Sequence, residues 1–175
     1  NIPDFKSFNF GTENKDKRFY VIRIHKSGGG LFSNLLYVLN HLKIADKFKL
    51  IPIVDMENFY TLYNEKKKID KTKNSWLYYF NQVSKYSLED VYKSYNVIFS
   101  NTSNNFPRNF IKNNDFKKTF KKYIKIKDHF IKNTNKFKNK NFNNKKIIGV
   151  HLRGTDMRIT PNHPMPPTPE QVFYI

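Results

Sequence analysis

With 175 residues, 38% of them hydrophobic and 17% aromatic, the chain is long and apolar enough to bury a real core in one main domain. The formal charge of +18 at pH 7 rests on lysine, with arginine only at 18, 23, 108, 153 and 158, against a background rich in Asn, Ile, Phe and Tyr. Runs such as Lys66-Lys67-Lys68 read as solvated faces rather than as a nucleic-acid site, which leaves weak, salt-sensitive association with acidic membrane surfaces or sugars.

The absence of cysteine excludes disulfides, a thiol nucleophile and cysteine zinc sites. No stretch approaches the roughly 18 apolar residues of a spanning helix, and the first residues lack the layout of a signal peptide. The expected location is cytoplasmic or peripheral to a membrane. The chain opens at Asn1 and stops just after a helix start at Thr168-Pro169-Glu170, so it reads as a piece of a longer protein.

In chain order, Phe19 to His25 form a β-rich run that meets Gly28-Gly29-Gly30. From Leu31 the apolar residues Leu35, Leu36, Leu39, Leu42 and Ile44 recur at helical spacing as far as Lys47. Leu50 to Val54 is a short buried strand with Asp55 at its end. Strand, glycine loop, helix and strand make a βαβ unit, which predicts a Rossmann-like parallel sheet with flanking helices, an α/β fold. Ser75 to Phe80 is an aromatic cluster, Ser87 to Tyr92 a capped short helix, and Asn96 to Ser100 a further strand. Apolar residues spaced through 110 to 139 suit one long amphipathic helix. A Lys/Asn-rich linker with a domain boundary near 145 precedes a strand over Lys146 to Leu152.

Two constellations carry chemistry. His151-Leu152-Arg153-Gly154-Thr155-Asp156 stands at the carboxyl end of the last strand, the edge where open α/β sheets bind ligands. Arg153 there can fork onto a diphosphate as a leaving group gains charge; an Arg153–Asp156 ion pair closing the loop is the plain alternative. Gly28-Gly29-Gly30 before a helix lets the backbone approach a ligand and presents helix-start amides to an anion. It is neither Gly-x-Gly-x-x-Gly nor a P-loop. Asn34, early in that helix, is a site residue or a cap.

Ile148-Gly149-Val150-His151-Leu152-Arg153-Gly154-Thr155-Asp156 resembles the first signature motif of the fucosyltransferase superfamily that includes α-1,6-, nodulation and protein O-fucosyltransferases. Gly30-x-Phe32-x-Asn34 resembles the Gly-x-Phe-Gly-Asn turn of the O-fucosyltransferases, with Ser33 in place of the second glycine. The resemblance implies a GT-B fold of two Rossmann-like domains. Residues 1–145 would be the first, acceptor-side domain and 146–175 the start of the nucleotide-sugar domain. It further implies GDP-fucose as donor, a carbohydrate acceptor and no metal. Arg153 would bind the diphosphate, His151, Gly154, Thr155 and Asp156 would shape the donor pocket with Gly29 and Gly30, and Asn34 would lie at the reaction centre. Gly154 stands where many α-1,6 enzymes carry a second arginine, so linkage does not carry over.

Asp55-Met56-Glu57 faintly resembles a metal-binding Asp-x-Asp but reads better as a loop carboxylate pair. His25 and His41 read as packed or capping residues. Asp55 and Asp156 are candidates for a catalytic base by position only, and this piece is expected to be inactive by itself. The rival reading is a non-catalytic basic module that binds RNA or acidic glycans through residues 110 to 139.

Overall fold

The computed structural model describes residues 6–23, 29–59, 61–100, 116–143, 145–149 and 167–173. The chain divides into two units, Asn1–Lys132 and Asn133–Ile175. In the first, strands β1 (Ser7–Phe8), β2 (Phe19–Arg23), β3 (Ile51–Asp55) and β4 (Val97–Phe99) form one open sheet in the order β1-β4-β2-β3. β2 pairs in parallel with β3 on one side and β4 on the other. The all-parallel expectation needs one correction, because β1 adds to β4 antiparallel and makes the sheet mixed. A two-residue strand has no periodicity to announce it; Phe8 and Phe10 hold this edge by meeting Phe99 edge-on at 5.3 and 5.8 Å.

β2 is buried on both faces, so it reads as a continuous apolar run rather than an alternating one. Tyr20 and Ile22 face the core shared with helix α1 (Leu31–Lys47), while Phe19 and Val21 face Val91 and Tyr86 on the opposite side. On α1 the buried positions are 34, 35, 38, 39, 41, 42, 44 and 45, a stripe of helical period. Leu36 falls off it and is half exposed. The helix ends in a Schellman turn: Leu50 N–H reaches Ala45 O at 2.8 Å and Lys49 N–H reaches Asp46 O at 3.2 Å, with Lys49 at φ 53°. A non-glycine residue in the left-handed region is strained, so Lys49→Gly is expected to raise stability by about 0.5–1 kcal/mol, read from the urea midpoint.

Short helices α2 (Trp76–Tyr79) and α3 (Leu88–Val91) follow. α3 opens with the expected cap, a reciprocal box in which Ser87 Oγ accepts from Asp90 N–H and Asp90 accepts from Ser87 N–H. β3 lies at a sheet edge, and side chains satisfy its outer backbone: Gln82 and Asn74 bond Val54, and Asn74 Oδ1 accepts from Met56 N–H.

The single helix expected over 110 to 139 is two helices in its described part, α4 (Phe116–Tyr123) and α5 (Asp128–Asn141). Ile124 is buried, and the next three residues run antiparallel to 79–81, with Asn81 N–H on Lys125 O and Lys127 N–H on Tyr79 O. Backbone committed to that ladder cannot continue a helix. The strand expected over 146 to 152 is also corrected in its described part. Residues 145–149 are exposed and pair with no strand among the described residues, and Ile148 is 92% exposed. Apolar content permits a strand, but only a neighbouring strand stabilises one. Helix α6 (Pro169–Phe173) starts where expected, with Thr168 and Gln171 exchanging cap bonds. Among the described residues no helix is long and apolar enough to cross a membrane.

Candidate functional site

The chain leaves β2 through α1 to β3 on one side, and the next parallel strand, β4, lies on the other side of β2. Such a reversal opens a crevice at the carboxyl ends of the strands. Arg23, Asp55 and Ser100 stand at that edge, at or just beyond the ends of β2, β3 and β4.

These residues are locked together. Arg23 Nε donates to Asp55 Oδ2 at 2.8 Å, and Arg23 Nη2 donates to the Tyr92 hydroxyl at 2.7 Å. The guanidinium lies 4.0 Å from the Phe99 ring centre and 5.1 Å from that of Phe59. Asp55 Oδ1 accepts from the amides of Glu57 and Asn58, and Asn58 Nδ2 bonds both carboxylate oxygens. Ser100 Oγ accepts from Arg23 N–H and donates to Arg23 O, which also accepts from Tyr37 on α1. Asp55 is fully buried, and its bonds are those of a strut that ties β2 to the loop after β3.

Tyr92 is the outward-facing member. Its oxygen accepts from Arg23 and, at 3.3 Å, from Asn58, so the phenolic proton remains to be offered outward. Burial, opposed by the Arg23 charge, raises its pKa and keeps that proton in place.

The glycine turn stands beside this edge. Gly30 caps α1 in extended geometry without a side chain to bond the helix amides, the first turn carries no acidic residue, and the Leu31 N–H goes instead to the Tyr63 hydroxyl at 2.7 Å. Asn34 is buried, and a Cβ on Gly29 would come within 3.0 Å of Asn34 Oδ1 and 3.2 Å of Ser33 Oγ. Gly29 therefore makes room for the Asn34 side chain, whereas a Cβ on Gly30 would meet only Tyr63, at 3.9 Å. Asn34 does not cap α1.

Comparison with protein-family models, curated proteins and solved structures finds no match.

Of the residues expected at the site, Gly29, Gly30 and Asn34 are thus brought together at the start of α1. His151, Arg153, Gly154, Thr155 and Asp156 lie outside the described residues, as does His25. His41 is a core residue, with Nδ1 2.7 Å from the Tyr20 hydroxyl. No group of three potential metal ligands occurs among the described residues. Sequence reasoning passed over Arg23, Asn58, Tyr92, Ser100 and Tyr63. Arg23 and Asp55 carried a usable signal, opposite charges ending neighbouring parallel strands in register.

Proposed function

We propose that the protein containing this chain is a nucleotide-sugar glycosyltransferase of GT-B architecture that moves fucose from GDP-fucose to a carbohydrate acceptor. The observation that carries the reading is the reversal of strand order about β2, the kind of point where open α/β sheets bind ligands, beside a glycine turn whose Gly29 accommodates buried Asn34. A helix start after a glycine turn and the Tyr92 phenol at the same sheet edge are groups that suit a phosphate-bearing donor. By the resemblance, Arg153 supplies the charge for the departing diphosphate, and His151, Gly154, Thr155 and Asp156 shape the donor pocket. Asn34, held near the turn, orients the reacting groups.

Calorimetric titration of GDP and GDP-fucose into the protein that contains this chain tests it. The expected result is binding that Arg153→Ala weakens about a hundredfold, the order of a charge-assisted bidentate contact, with UDP a poor competitor. A folded protein that binds no nucleotide but binds RNA tightly and salt-sensitively would instead establish the basic-module reading. That rival is favoured by α5, which has no buried residue and carries lysine through its length.

A further inference from the structure

A cavity of about 380 Å³ opens in the first unit among the Tyr63 loop, the hairpin at 69–72, α2 and the first turn of α5, within the size range of small-ligand sites. One wall is a run of four rings in contact. Tyr63 meets Tyr79 edge-on at 6.4 Å, Tyr79 lies nearly parallel to Phe130 at 5.8 Å, and Phe130 touches His129 at 4.1 Å between centres. Two carboxylates, Glu65 and Asp70, line the same space.

The rim is built rather than loose. Asp70 and Lys71 both adopt positive φ, carrying the chain through a tight turn that Ile69 and Thr72 close with two backbone bonds of 3.0 Å. Lys127 Nζ donates to Asp70 Oδ2 at 2.9 Å and pins the hairpin to the residue before α5. This contact also holds the Asp70 carboxyl below its usual pKa, so it is present as an acceptor.

We propose that this cavity is a binding site for a neutral saccharide. Sugar rings offer apolar C–H faces to aromatic walls, and their hydroxyls are the donors that acceptor-only carboxylates require. Phosphates and polyanions present only acceptors and cannot satisfy Glu65 and Asp70, and although Lys127 offsets the charge of Asp70 no cation is paired with Glu65 among the described ion pairs. Tyr63 joins the cavity to the glycine turn through its 2.7 Å bond from Leu31 N–H, so a sugar on the aromatic wall lies beside the start of α1. That this sugar is the transferase's acceptor rests on the reading above; that the cavity takes a saccharide does not.

Saturation-transfer NMR with a panel of glucose-, galactose-, mannose- and N-acetylhexosamine-containing disaccharides, on the protein that contains this chain, tests it. At least one disaccharide is expected to bind, with saturation strongest on its ring C–H protons. Glu65→Gln and His129→Ala, both on exposed side chains, are expected to weaken that binding tenfold or more without moving the urea midpoint or the GDP affinity. Failure of the whole panel, unchanged binding in both variants, or preference for choline over every disaccharide overturns the site. GDP binding retained in that event leaves the transferase standing, whereas disaccharide binding without GDP binding sinks the transferase and keeps the site.

Discussion

Arg23→Ala is expected to lower the unfolding free energy by about 3–5 kcal/mol, the usual cost of removing one partner from a buried ion pair. The size follows from the asymmetry of the pair. Asp55 has no exposed side-chain surface, whereas Arg23 keeps 17%, so the truncation strands a carboxylate that water cannot reach. Asn58 and two backbone amides remain on Asp55 but carry no full charge. The rings of Phe59 and Phe99 also lose the guanidinium they flank. Urea unfolding should show the midpoint fall, and Tyr92, which gives up its 2.7 Å bond, should titrate differently. In the double variant Arg23→Leu with Asp55→Asn the two losses should not add, because no uncompensated charge is left. A cost below about 1 kcal/mol for Arg23→Ala would mean a solvated pair and would remove the strut from the description of the site.

The second large effect is a pH dependence centred on His41. Burial lowers its pKa from 6.5 to about 4. The unfolded chain takes up the proton as pH falls through 6.5, and the folded chain does so only near 4, so acidification favours unfolding across that window. Stability is level above about pH 6.5, falls between 6.5 and 4, and levels again below, losing about 3 kcal/mol from this residue at ~1.4 kcal/mol per unit. His41→Gln keeps a polar group toward the Tyr20 hydroxyl and removes the titration. Its urea-derived stability should therefore change less between pH 7 and pH 5 than that of the parent. Equal slopes in the two proteins would show that His41 takes up its proton in the folded state at an ordinary pH.

Where periodicity was strong and local, the structure follows it. α1 spans Leu31–Lys47, and the capped turn at Ser87 forms with both bonds of its box. The departures occur where a distant segment intervenes. Ile126 pairs with Phe80, and this pairing breaks what the apolar spacing of 110 to 139 describes as one helix. Among the described residues no segment pairs with 145–149, where the apolar Ile147 and Ile148 are exposed. A helix carries its hydrogen bonds within itself, whereas a strand borrows them from another part of the chain. Helical period is therefore legible in one window of sequence and strand pairing is not.

The same division runs through the site. The residue sequence by itself determined the glycine turn before an amphipathic helix, the strand ahead of it, and the packed position of His41, because each follows from neighbours a few positions away. Only the tertiary structure decided that Arg23 would meet Asp55, Tyr92 and Ser100, residues 32, 69 and 77 positions away. It alone decided, too, that Tyr63, Tyr79 and Phe130 would share one cavity wall. Those meetings depend on the register of parallel strands and on where the chain turns back across the sheet. Both are settled by the burial of Phe19, Val21, Ile53 and Val97 on one face and of Tyr20, Ile22, Val54 and Ile98 on the other, a cooperative outcome that no single stretch of sequence contains.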